Sequence, residues 1–170
     1  EEKRRKQLGR SLKRLNAMLT PMSKYAGSEM CIDVANKGLQ VLGGSGYIKD
    51  YPAERYARDA RITTIYEGTS QLQVVAAIKG VTSGTLDSYV ADFETIQYED
   101  AELEAAKQEL IKLREELGEA VKFVKSHSGA YMDLSARRLV DTGIAIITGH
   151  LFIGQAAKSE RKKAVLNMYL

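Results

Sequence analysis

The chain has 170 residues and a mass of 18.8 kDa, enough to bury a real core as one domain or two small ones. With 44% hydrophobic and 28% charged residues it is not a disordered chain, and its single cysteine excludes an internal disulfide framework and a cysteine-rich metal site. The formal charge of +3 names no partner, although the sign changes along the chain: residues 1–14 carry seven basic and two acidic side chains, and residues 94–119 nine acidic and three basic.

Two prolines, and long runs of Ala, Leu, Glu, Lys and Arg, predict an all-α fold. The first segment places Leu8, Leu12, Leu15 and Leu19 on one narrow stripe of a basic helix. Thr20 and Pro21 then read as an N-cap and first helical residue, so a second helix is expected to start there. It should bury Met22, Tyr25, Ala26, Met30, Val34, Ala35, Leu39 and Leu42, with Cys31 as a small core residue, and stop at Gly43 and Gly44. The stretch GGSGYIKDYP, 43–52, reads as an ordered loop, followed by a short helix through AERYARDAR. Gly68 breaks that pattern, and Thr69 or Ser70 caps a helix running to about Lys79, with Ser70 and Gln73 at capping-box spacing.

Beyond Gly80 the small polar segment VTSGTLDS marks a boundary between two helical units, 1–82 and 83–170. A helix near 86–96 precedes a long one over about 100–126, whose Leu103, Ala106, Leu110, Leu113, Leu117, Ala120 or Val121, and Val124 keep the three-four rhythm of a bundle or coiled-coil seam. The remainder reads as one or two helices, interrupted or bent near Gly149 and Gly154. Its apolar stretch at 143–154 is too short to span a bilayer, and with no secretory signal a cytoplasmic location without a membrane span is expected. The opening EEKRRKQ, without a methionine and already helical in pattern, suggests a piece of a longer protein.

Few residues offer chemistry. The glycine loop fails the dinucleotide fingerprint, because Lys49 stands where GxGxxG counted from Gly44 needs its third glycine; it also lacks the features of a nucleophile elbow or a P-loop. What remains is a structural turn or a cradle of backbone N–H groups for an anion. His127 and His150 have no partner at metal-ligand spacing, so no metal site is expected, and His150 could equally be a core residue. The basic opening has no interleaved aromatics, which argues against nucleic acid. In IYEGTSQLQ, 65–73, Glu67 is either a general base or a carboxylate complementing a helix N-terminus. Ile65, Tyr66 and Gly68 around it would favour withdrawal from water, and the helix dipole would oppose it.

Together QVLGGSGY, YPAERYxRDARI and IYEGTSQLQ, in this order over residues 39–73, resemble the C-terminal helical domain of the FAD-dependent acyl-CoA dehydrogenases, of the longer bacterial type with an added helical region. The resemblance implies an up-and-down helical bundle over 1–82 followed by a second helical unit. It implies that Glu67 is the base removing the α-proton of an acyl-CoA thioester, with Gly68 close to that thioester. It further implies that Thr69 and Gln71 contact FAD, and that Gln40, Gly43 and Gly44 touch the adenosine diphosphate part of a FAD held mainly by a neighbouring subunit, hence a homo-oligomer. An electron-transfer flavoprotein or similar carrier is the implied acceptor. Residues 1–170 include neither the family's N-terminal helical domain nor its central β-domain, so this piece alone is expected to bind FAD weakly or not at all. The competing expectation is a non-catalytic helical oligomerisation module that keeps the fold.

Overall fold

The computed structural model describes residues 1–169, which form eight helices and no strand among the described residues. They are α1 (Glu2–Leu42), α2 (Gly44–Tyr47), α3 (Ala53–Ile62), α4 (Ser70–Thr82), α5 (Thr85–Glu94), α6 (Ala101–Lys125), α7 (Gly129–Ala156) and α8 (Glu160–Tyr169). The expected all-α bundle is what folds, but several boundaries differ from the sequence expectation, and each difference has a packing cause.

The expected break at Thr20–Pro21 does not occur, because α1 runs through Pro21 as one helix of 41 residues. Proline removes one backbone donor here, but Met18, Met22 and Tyr25 on either side of it are buried in the same core, with Leu15 and Leu19 packed against them. Burial of four or five large side chains, each worth about 1.5–3 kcal/mol, outweighs the roughly 3 kcal/mol cost of an interior proline. The helix ends at Gly43, whose φ of 60° is the left-handed geometry glycine tolerates. The expected loop at 43–52 contains the single turn α2, which folds back so closely that a Cβ on Gly46 would stand 2.9 Å from the Leu39 carbonyl oxygen.

The second half of α1 was expected to be well buried, and it is not. Met30, Val34 and Leu42 are exposed, and Cys31 is exposed rather than core. Past Ser28, where Glu29 pairs with Arg137 of α7 at 3.7 Å, α2 and α3 cover one side of the helix and leave an apolar groove bounded by Met30, Val34, Leu42, Tyr51 and Tyr56. At its other end Leu8 and Leu12 are exposed too, so only Leu15 and Leu19 of the predicted stripe reach the core.

α4 continues past Gly80 to Thr82. Gly80 is not a stop signal: a Cβ there would lie 2.4 Å from Met18 Cγ, so glycine lets α1 and α4 approach. Gly143 plays the same part in α7, where an added Cβ would meet Leu86, Met22 and Val81 at 3.3–3.4 Å. One apolar cluster therefore runs across the predicted boundary near residue 82, with Met18, Val74, Val81, Leu86, Val140 and Ile146 all within it. A smaller cluster of Leu103, Leu110, Ile153 and Leu166 joins α6, α7 and α8.

The long-helix seam folds as its rhythm indicates, with Leu103, Ala106, Leu110, Leu117, Val121 and Val124 buried. α7 neither breaks nor bends out of helix at Gly149 or Gly154; Gly149 faces Leu110, where an added Cβ would lie 2.8 Å from its methyl carbons. At 28 residues, α7 is long and apolar enough by length and composition to cross a membrane, which the shorter 143–154 stretch did not suggest, and 50% of its most apolar window is buried inside the protein. Polar bonds complete the second half. Arg114 donates to both Glu94 oxygens at 2.6 and 3.2 Å, joining α6 to α5, and Lys163 of α8 meets Asp100 at 2.6 Å. Of the readings left open for His150 the structure takes the core one, since it is 2% exposed and stacked on Phe93.

Two stability outcomes follow. Gly80→Ala should lower the unfolding free energy by about 1–3 kcal/mol through overpacking against Met18, even though alanine is the better helix former. Gly118→Ala in α6, where an added Cβ meets nothing within 4 Å, should instead raise it by up to about 1 kcal/mol; denaturant midpoints measure both. Burial, opposed by Glu94 and reinforced by Lys107 and Arg114, holds His150 below its ordinary value of 6.5. The unfolded chain then binds a proton that the folded chain does not, so this contribution is full above about pH 6.5 and is lost as pH falls towards the lowered folded value. Denaturation of His150→Leu between about pH 8 and pH 5 should show a flatter pH dependence than the parent.

Candidate functional site

The connection between α3 and α4 is where the sequence concentrates its chemistry, and its backbone is unusual. α3 ends at Ile62, whose carbonyl accepts from both Ile65 N at 2.9 Å and Tyr66 N at 3.1 Å. Ser70 N closes the turn by donating to Thr64 O at 3.2 Å. Between them Glu67 has φ 51° and Gly68 φ 92°, two successive residues on the left-handed side; Glu67 is the sole non-glycine residue with positive φ among the described residues. Gly68 suits its φ, which strains any residue with a Cβ, and a Cβ there would also push aside Gln73 Nε2, 2.7 Å away. Glutamate has no such licence, and the left-handed region costs a non-glycine residue about 1–2 kcal/mol.

The cost is met by donors that gather the turn's carbonyls. Lys24 Nζ, from the middle of α1, donates to Thr63 O at 2.7 Å and to Gly68 O at 2.8 Å, and lies 5.5 Å from the centroid of the Tyr66 ring. One helical turn on, Ser28 Oγ donates to the same Thr63 O at 2.9 Å. Gln73 Nε2, from α4, donates to Glu67 O at 3.0 Å. The main chain is thus drawn towards α1 and α4, while the Glu67 side chain is solvent-exposed in this chain. The withdrawal from water expected for a base is not provided by residues 1–169.

The expected site residues fall into two groups. Glu67, Gly68, Thr69 and Gln71 lie together at the entry to α4, where Thr69, rather than Ser70, is the N-cap and its hydroxyl accepts from Leu72 N at 3.4 Å. Ser70 is buried with its hydroxyl unpartnered. Gln73 does not complete a capping box with Ser70; it reaches back to the carbonyls of the turn. Gln40, Gly43 and Gly44 are exposed at the far end of α1. Gly43 lies nineteen residues beyond Lys24, about 28 Å along the helix axis at 1.5 Å per residue, so the two groups do not converge within one chain. Beside the Glu67 carboxylate the first group offers a hydroxyl, an amide and glycine backbone, and the second an amide and glycine backbone, exposed except for half-buried Gly68, a set that fits the rim of a cofactor site rather than an enclosing pocket.

Sequence reading missed Lys24, Ser28 and the true task of Gln73. The available signal was a lysine and a serine at i and i+4 in a stretch of α1 with few other charges, which puts two donors on one face.

Comparison with known proteins places two family models end to end: "Acyl-CoA dehydrogenase, C-terminal domain" over residues 6–81 and "Acyl-CoA dehydrogenase C terminal" over residues 82–170. The chain is 56% identical over 52 residues to the mitochondrial short-chain specific acyl-CoA dehydrogenase of Rattus norvegicus, covering 31% of this chain and 13% of the relative. It is 36% identical over 87 residues to a broad-specificity linear acyl-CoA dehydrogenase of Mycobacterium tuberculosis, covering 47% of this chain and 14% of the relative. A subunit of the caffeyl-CoA reductase–Etf complex of Acetobacterium woodii is 54% identical over 52 residues, or 31% of this chain and 14% of that subunit. These matches span only about one seventh of the relatives' own length. No solved structure matches.

The strained backbone makes a stability prediction. Glu67→Gly removes the left-handed penalty of about 1–2 kcal/mol and adds about 0.5–1 kcal/mol of unfolded-state entropy, so the variant should be as stable as the parent or slightly more so. A loss above about 1 kcal/mol in the denaturant midpoint analysis would mean that the glutamate side chain itself supports the turn.

Proposed function

The chain belongs to the acyl-CoA dehydrogenases, as C-terminal helical sequence of that family, and on that premise we propose that it supplies the proton acceptor for α,β-dehydrogenation of an acyl-CoA thioester. The observation that carries this reading is Glu67 at φ 51°, a glutamate held in a conformation it disfavours, on an exposed turn whose carbonyls are tied back to α1 and α4. Strain of this kind persists where the surrounding structure over-determines it, and it clusters at functional sites. A carboxylate that merely complemented a helix N-terminus would have no need of it.

In this reading Glu67 takes the proton from the α-carbon of the thioester, and Gly68, lacking a side chain, leaves room for the thioester beside it. FAD, when bound, supplies the acceptor for the β-hydrogen as hydride. Thr69 and Gln71 contact that cofactor from the entry to α4, and Gln40, Gly43 and Gly44 contact the FAD of a neighbouring subunit. The distance of about 28 Å between Lys24 and Gly43 along α1 supports this division, because one chain offers its two groups to different cofactors. The cover that removes Glu67 from water, and so makes it a competent base, belongs to the parts of the protein outside residues 1–170.

The partners follow from the same premise. A homo-oligomer accounts for the apolar groove of Met30, Val34, Leu42, Tyr51 and Tyr56, a face that water would otherwise wet. The likeness to a subunit of an Etf complex supports an electron-transfer flavoprotein as acceptor. A cytoplasmic location is proposed with it.

The test is a single atom exchange. Glu67→Gln in the parent protein should keep its flavin and bind acyl-CoA, yet lose about 10²–10⁴-fold in the rate at which acyl-CoA bleaches the flavin under anaerobic conditions. Bleaching at the parent's rate would refute the base, and a colourless parent protein that still self-associates would favour the oligomerisation module.

A further inference from the structure

Glu67 owes its position to a residue far from it in sequence. Lys24 takes the carbonyl just before the Thr64–Glu67 stretch, Thr63 O at 2.7 Å, and the carbonyl just after it, Gly68 O at 2.8 Å. Both bonds are charge-assisted and half-buried, so they are stronger than neutral bonds and less open to competition from water. The Tyr66 ring lies against the same ammonium, and Ser28 duplicates the bond to Thr63 O. Gln73 secures the Glu67 carbonyl from the other side. With its peptides pinned before and after, the left-handed Glu67 has one backbone orientation, and its side chain one direction of departure.

We infer that Lys24 is a positioning residue for the proposed base: it staples both ends of the Glu67 turn to α1 and so aims the carboxylate. The inference rests on the reading of Glu67 as proton acceptor. It concerns a side chain that does not touch the reacting atoms, so its signature is a loss of kcat without a loss of substrate affinity. Misdirection of a base is costly because proton transfer requires hydrogen-bond reach to the α-carbon's proton.

The experiment uses the full-length, FAD-loaded parent protein, its Lys24→Met and Lys24→Arg variants, and a series of saturated acyl-CoA thioesters. Lys24→Met keeps the stem and removes the donors. Flavin content and KM should stay within about twofold, while flavin reduction slows by about 10–100-fold, the worth of one or two charge-assisted bonds. Lys24→Arg, which keeps charge and donors, should recover most of the rate. Amide hydrogen exchange gives a readout independent of turnover: residues 64–70 should exchange faster in Lys24→Met, with residues 74–81 of α4 unchanged. Where Lys24→Met does not fold, Gln73→Leu releases the same turn from the α4 side, and should speed exchange at 67–70 and slow reduction. Parental reduction rate in the folded variant, or parental exchange across 64–70, overturns the staple. A parent protein that no acyl-CoA reduces overturns the base instead, and the exchange comparison still decides the staple.

Discussion

The turn between α3 and α4 satisfies only some of its own carbonyls, and the donors for the rest come from the side chains of α1 and α4. The segment between α3 and α4 leaves the oxygens of Thr63, Glu67 and Gly68 without backbone partners; Lys24, Ser28 and Gln73 supply them. Buried backbone groups left without partners cost about 1–3 kcal/mol each, so the turn, α1 and α4 hold their mutual positions as a unit. The conformation of Glu67 is a consequence of that requirement, and the proposed chemistry is a consequence of the conformation.

The same logic explains why α1 must be continuous. Its middle turns contribute Met18, Met22 and Tyr25 to the core and Lys24 and Ser28 to the turn, so a break at Pro21 would separate the packing from the staple. Close approach is made possible by absent side chains at Gly80 and Gly143, which admit Met18 and Met22 respectively. Tyr25 extends the link to α7. Arg137 lies 5.1 Å from its ring centroid, and burial together with the nearby Asp141 carboxylate raises the phenol well above its ordinary value. The helices beyond residue 82 thus buttress the element that carries the proposed site.

Lys107 repeats the device in the second half. It is 4% exposed, donates to Ile96 O at 2.7 Å and pairs with Glu104 at 2.8 Å, tying the irregular segment before α6 to the helix that follows. In both places a lysine ammonium takes up carbonyls left over between helices, Thr63 O and Gly68 O for Lys24 and Ile96 O for Lys107. Among the described residues the opposite end of α1 has no such partner, and Met30, Val34 and Leu42 stand exposed there.

The sequence by itself determined the helical class, most element boundaries, the α6 seam and the linked motifs around Glu67, because these depend on spacing and local propensity. Gly43 as a C-cap was legible, since φ near 60° is a local demand. Thr20–Pro21 and Gly80 misled for one shared reason: local rules mark them as ends, while the contacts of Met18 and Met22 across α4 and α7 outweigh the local cost. Gly149 misled in the same way, its role set by Leu110 on another helix. The burial of Met30, Cys31 and Val34 was misjudged because periodicity finds an apolar face but not what covers it. Only the tertiary structure decided that Lys24 belongs to the Glu67 turn, since 44 residues separate it from the Gly68 carbonyl it holds, and a hydrogen bond depends on distance in space and leaves no mark on sequence spacing.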